Sequence, residues 1–106
     1  MKALFICNQN QHRSKTAELI FKDKFETKSA GLYGGKILSK EDIKWADILF
    51  VMDEEQRNEL IRRFPKETFT KRLITLNISD SYSYMQNELI NILENNLEEL
   101  TEPFLK

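Results

Sequence analysis

The sequence is poor in the residues that staple, bend or metallate small proteins. Its 106 residues include one cysteine, one histidine, two prolines and three glycines. One cysteine excludes an internal disulfide framework and an intramolecular dithiol relay. With only one histidine beside it, too few soft ligands remain for a zinc site, so neither a metal nor a cofactor is expected. No run approaches the roughly 18 apolar residues of a membrane span. The apolar start Ala3–Ile6 is also too short for the core of a signal peptide. A net charge of −1 provides no broad basic face for nucleic acid or an anionic membrane. These absences predict a cytoplasmic, soluble protein in a reducing compartment, with no nucleic-acid or membrane partner. Nothing in them fixes an oligomeric state.

The residues present suit a single domain spanning 1–106. Apolar residues make up 41% of the chain, enough for a core, and charged residues 31%. The charge is unevenly spread. Residues 1–79 carry 15 Lys/Arg against 11 Asp/Glu, whereas 80–106 carry Lys106 against six acids. An anion site is therefore expected in the first part.

Local patterns alternate. Ala3–Ile6 reads as a buried strand. Ser14–Lys24 has helical spacing through Ala17, Ile20, Phe21 and Lys24, and Glu18 and Lys22 are placed to pair at i,i+4. Phe25–Ala30 reads as a second strand, and Gly31, Gly34 and Gly35 mark a loop. Ser39 with Asp42 predicts a capping box and a short helix, with Trp45 beside it in the core. Asp47–Met52 is the clearest buried strand. Asp53 with Gln56 predicts a second capping box, opening a helix that Phe64-Pro65 ends near Arg63. Arg72–Leu76 is a fourth strand and 77–84 a polar loop. A last helix over Met85–Leu100 carries the stripe Leu89, Leu93, Leu97 and Leu100. This order predicts a three-layer α/β/α fold with a four-stranded parallel sheet, strand order 2-1-3-4. Ligands bind such sheets beyond the carboxyl ends of the strands, at the switch point. Cys7 stands there.

The stretch from Phe5 to Ser14, FICNQNQHRS, holds that cysteine and an arginine six positions later. A thiol reacts as thiolate, a form that a helix N-terminus and a nearby cation favour. A strand–loop–helix arrangement supplies the N-terminus, and the loop's N–H groups can converge on an anion. Arg13 adds a bidentate fork matched to phosphate oxygens. The spacing suits one turn of chain around a tetrahedral oxyanion, with Ser14 placed to donate to the sulfur.

The Cys-x5-Arg-Ser pattern after a first strand resembles the low-molecular-weight protein tyrosine phosphatase family, in particular its short bacterial members. ALFICNQNQHRSKTAELIF, SAG at Ser29–Gly31, WADILFVMD and SDSY carry the resemblance over nearly the whole chain. It implies a hydrolase acting on a phosphorylated protein or small phosphomonoester. It implies Cys7 as nucleophile, Arg13 as the phosphate-binding residue and Asp80 as general acid and base. Asn8, Gln9, Asn10, Gln11, His12, Ser14 and Tyr82 form the implied substrate-binding set. Within it, Asn10 shapes the loop, Ser14 lies beside the thiolate and Tyr82 lies at the rim. The chain departs from the family at several points. Gln9 stands where a loop glycine is expected, a strained exchange if that position needs φ > 0. His12 replaces a frequent second cysteine, and Ser81 replaces the proline after the acid. Three other readings share the pattern: a non-catalytic phosphate- or phosphopeptide-binding module, an arsenate reductase using an external thiol, and a sugar-transport phosphocarrier.

Overall fold

A computed structural model describes residues 1–105; Lys106, the expected end of the domain, lies outside the described residues. Four strands, β1 (Lys2–Cys7), β2 (Glu26–Gly31), β3 (Ile48–Val51) and β4 (Arg72–Thr75), form one sheet of order β2-β1-β3-β4. All three pairings are parallel, with Cys7 opposite Gly31 and Ile6 opposite Val51. The expected topology is therefore observed. Five helices complete the chain: α1 (Arg13–Ile20), α2 (Lys40–Trp45), α3 (Glu54–Arg63), α4 (Pro65–Phe69) and α5 (Asn87–Leu105).

Side chains alternate across a strand, and here both faces are covered. Ala3, Phe5 and Cys7 of β1 pack with Ala17 and Phe21 and with Leu89, Leu93 and Leu97 of α5. Leu4 and Ile6 face the other way, onto Ile43, Leu60 and the β3 residues Leu49 and Val51. Burial on both sides explains why β1 and β3 read as unbroken apolar runs. Phe5 stacks on Phe50 at 4.9 Å and on Phe21 at 5.6 Å, locking α1 to the centre of the sheet.

Several boundaries differ from the sequence expectation. Helix α1 stops at Ile20, and Phe25 closes the following turn by donating its N–H to the Phe21 carbonyl. Glu18 faces β2, where it accepts from Ser29 at 2.6 Å. The Ser39–Asp42 capping box forms in both directions. The second box forms in one only. Asp53 accepts from the Gln56 N–H at 2.8 Å, but the Gln56 carboxamide turns back to accept from the Met52 N–H. Pro65 does end α3, and it also opens the unexpected α4 from the first helical position, where a missing N–H costs nothing. Met85, left-handed at φ 59°, delays α5 to Asn87. The α5 stripe ends at Leu97, since Leu100 is exposed. Trp45 lies at the edge of the core under Lys2 and Lys28, with the Lys28 ammonium 4.4 Å from the ring.

Candidate active site

The carboxyl ends of β1 and β3 open onto a cavity of about 380 Å³. Its wall is made by Cys7, Asn8, Gln9, Gln11, His12 and Arg13 from the loop after β1, and by Asp80, Ser81, Tyr82 and Ser83 from the loop before α5. Residues some seventy positions apart thus meet, because β4 and β1 are separated only by β3. None of the N–H groups from Asn8 to His12 donates to another group among the described residues. Unpaired donors ahead of a helix are the groups from which an anion-binding concavity can be built.

The loop contains no glycine, and its single left-handed residue is Asn10, at φ 52°, rather than Gln9. Asparagine tolerates that conformation better than most residues. Side-chain bonding then holds it. The Lys36 N–H can only donate, so the Asn10 Oδ1 faces it at 3.2 Å. The two Nδ2 hydrogens therefore go to Ser14 Oγ at 2.9 Å and Ser29 Oγ at 3.0 Å. Ser29 passes its own hydrogen to Glu18. Ser14, having accepted from Asn10, has its hydroxyl hydrogen free for Cys7 Sγ, 2.9 Å away. One network thus runs from the Glu18 carboxylate to the cysteine sulfur. Asn10 and Ser14 are buried behind the cavity and do not line it, unlike the other members of the expected binding set.

The missing loop glycine is compensated by the neighbouring segment. A methyl group on Gly31 would lie 1.9 Å from the Gly34 carbonyl. One on Gly34 would lie 2.0 Å from the Gln9 side chain, and one on Gly35 2.5 Å from the Gln9 carbonyl. Leu32 and Tyr33 donate their N–H groups to the Cys7 and Asn8 carbonyls at 2.9 and 2.8 Å. All three glycines of the chain therefore sit in the segment that buttresses this loop.

Arg13 is 3% exposed and spans both halves of the site. Its Nη1 donates to the Ile78 carbonyl at 2.7 Å and lies 3.6 Å from Asp53. Its Nη2 lies 3.7 Å from Asp80. Asp53, whose helix cap is fully accounted for, thus also reaches the arginine, an arrangement that local capping chemistry does not signal. The partners of Glu18, Thr16 and Ser29, which are Ser29, the Met85 N–H and Asn10, are likewise invisible in the local sequence. Each acquires its role from a partner on another element. His12 is exposed, with Nδ1 accepting from the Tyr84 N–H at 3.1 Å. Tyr82 lines the cavity and packs against the core, whereas Tyr84 is exposed. Among the described residues no group of three or more His, Cys, Asp or Glu could hold a metal, and no helix is long and apolar enough to cross a membrane.

No protein-family model matches the chain, and no curated protein sequence does. Solved structures do. A YwlE arginine phosphatase from Geobacillus stearothermophilus superposes with a TM-score of 0.71 at 20% identity, covering 98% of this chain and 95% of that one. A low-molecular-weight protein tyrosine phosphatase from T. tengcongensis gives 0.70 at 22% identity, with 94% and 99% covered. A low-molecular-weight phosphotyrosine phosphatase from Vibrio cholerae O395 gives 0.76 at 15% identity, with 100% and 97% covered. The chain therefore has the fold of the low-molecular-weight phosphatases over its described length.

Proposed function

We propose that the protein is a cysteine-dependent phosphatase of the low-molecular-weight class, acting on phosphotyrosine in proteins or on small aryl phosphates. The observation that carries this reading is that Cys7, Arg13 and Asp80 line one cavity, beside a loop whose N–H groups from Asn8 to His12 take no partner among the described residues. In the first step Cys7 Sγ attacks phosphorus as the bond to the ester oxygen breaks. Asp80 gives that oxygen its proton. Arg13 and the loop N–H groups hold the three equatorial oxygens, where charge is spread in the transition state. In the second step Asp80 takes a proton from water as water attacks phosphorus, the S–P bond breaks and inorganic phosphate leaves. The Ser14 hydroxyl stabilises the departing sulfur. The test is hydrolysis of an aryl phosphate by the wild type and by Cys7→Ser. Activity confined to the wild type is expected; equal rates would refute the reading.

A second reading has one favouring observation. Apart from Tyr82, the cavity wall is polar, made of Asn8, Gln9, Gln11, His12, Ser81 and Ser83. A planar, charged phosphoguanidinium group suits such walls at least as well as a phenyl ring, and solved structures of this fold include an arginine phosphatase. Phosphate release from phosphotyrosine and phosphoarginine peptides at equal concentration separates the two. The non-catalytic rival predicts that phosphate binds while neither peptide is turned over.

A further inference from the structure

Asp80 is 72% exposed and has little packing of its own to fix it. Its loop is nevertheless held at both ends. At the leading end Ile78 is buried, donates its N–H to the Met52 carbonyl at 2.8 Å and accepts from Arg13. At the trailing end two consecutive N–H groups are taken up by α1 and its cap. Tyr84 donates to His12 Nδ1 at 3.1 Å, and Met85 donates to Thr16 Oγ1 at 2.9 Å. His12 and Thr16 stand one helical turn apart, joined by the Thr16 N–H to His12 carbonyl bond of 3.0 Å, so they present adjacent acceptors. The backbone adopts an uncommon conformation to meet them. Met85 is a non-glycine residue at φ 59°, and Asn77 is left-handed at the opposite end. A sparsely populated conformation persists only where surrounding contacts impose it. Thr16 has no other visible reason to be a polar residue, because it is fully buried beneath the loop.

We propose that His12 and Thr16 are positioning residues that clasp the trailing end of the Asp80 loop and so hold the acid over Cys7. The proposal rests on the phosphatase reading for its catalytic consequence, and on hydrogen bonding alone for the clasp. His12 acts through its Nδ1 lone pair on a backbone N–H, without touching the reacting atoms.

The test uses the full chain with two conservative pairs, His12→Ala beside His12→Asn and Thr16→Val beside Thr16→Ser. Asparagine Oδ1 lies as far along its side chain as histidine Nδ1 and can accept from the Tyr84 N–H; serine keeps the Thr16 acceptor. The first readout is amide hydrogen exchange. His12→Ala and Thr16→Val should speed exchange at Tyr84 and Met85 by about tenfold or more while the sheet stays protected, and the conservative partners should restore protection. Unchanged exchange in both disruptive variants would overturn the clasp. The second readout is kcat/KM on phenyl phosphate against dinitrophenyl phosphate, whose leaving group needs no proton. The disruptive variants should lose about tenfold more on phenyl phosphate, with recovery in His12→Asn. Equal losses on both esters, or His12→Asn no better than His12→Ala, would overturn the positioning role. If the wild type hydrolysed neither ester, the aryl phosphatase reading would fail, and exchange alone would still decide the clasp. Should Thr16→Val fail to fold, Thr16→Ala beside Thr16→Ser, with the His12 pair, carries the same comparison.

Discussion

At the scale of single residues, Asn10 carries the most structure per atom. It supplies the left-handed turn of the loop, two donors to hydroxyls and one acceptor for Lys36. Asn10→Ala should cost roughly 2–4 kcal/mol, from the unfavourable backbone and the bonds left unmade. Asn10→Gly keeps the backbone without the network, so it should melt above the alanine variant while remaining as poor a catalyst. Equal melting of the two would show that the left-handed turn contributes nothing. The two aspartates facing Arg13 are also separable. Asparagine caps a helix about as well as aspartate, so Asp53→Asn should preserve α3. Only Asp80→Ala should slow phenyl phosphate far more than dinitrophenyl phosphate in kcat/KM. A matching selective loss in Asp53→Asn would move the acid role to Asp53.

At the scale of elements, the site depends on how the loop after β1 is backed. The glycine-rich segment presses on it, and α3 holds that segment in turn. Arg63 donates to the Leu32 carbonyl at 2.6 Å and lies 4.9 Å over the Tyr33 ring. Glu59 fixes Arg63 and Arg62 together, and their hydrogen bonds hold its carboxyl well down, at about 2 against an ordinary 4.5. A carboxyl whose pKa is lowered on folding adds stability that is present above pH 4.5 and is lost as pH falls towards 2. Acid unfolding of Glu59→Gln should therefore differ from the wild type at neutral pH and converge with it near pH 2. A gap that widened on acidification would contradict the assignment. Gly35→Ala should destabilise and perturb the cysteine loop together, since its methyl group would meet the Gln9 carbonyl at a left-handed φ. An unaltered melting temperature in that variant would refute the buttress.

The strands, their order and the Cys7–Arg13 loop were legible because period, spacing and capping are local signals. Asp53 announced the start of α3, and Pro65 announced its end. What remained hidden depends on distant partners. Nothing near Gln9 shows that the absent glycine has counterparts in Gly31, Gly34 and Gly35. Nor does the spacing around Glu18 show that its partner is Ser29 on β2 rather than Lys22. The end of α1 at Ile20 is set by the turn that delivers Phe25 to the core, a tertiary demand that overrides a helical pattern.

At the scale of the whole molecule, the sheet is a rigid frame with an apolar layer on each face, and the chemistry sits on loops at one end. Phe50 lies at the centre of the aromatic stack with Phe5, close to Phe25 as well. Phe50→Ala should cost about 3–5 kcal/mol, a large share of the 5–15 kcal/mol that holds a domain this size, and should lower the denaturant midpoint accordingly. Rigidity of that frame is what allows β1 and β4 to present Cys7 and the Asp80 loop to one cavity. Phosphatase activity here requires covalent chemistry at Cys7, and one measurement reaches it directly. Asp80→Ala, mixed with dinitrophenyl phosphate and quenched within its first turnovers, should carry one phosphoryl group on the peptide containing Cys7, because the leaving group departs unaided while hydrolysis of the intermediate has lost its base. Protein without a phosphoryl group, or with one on any other residue, would contradict it.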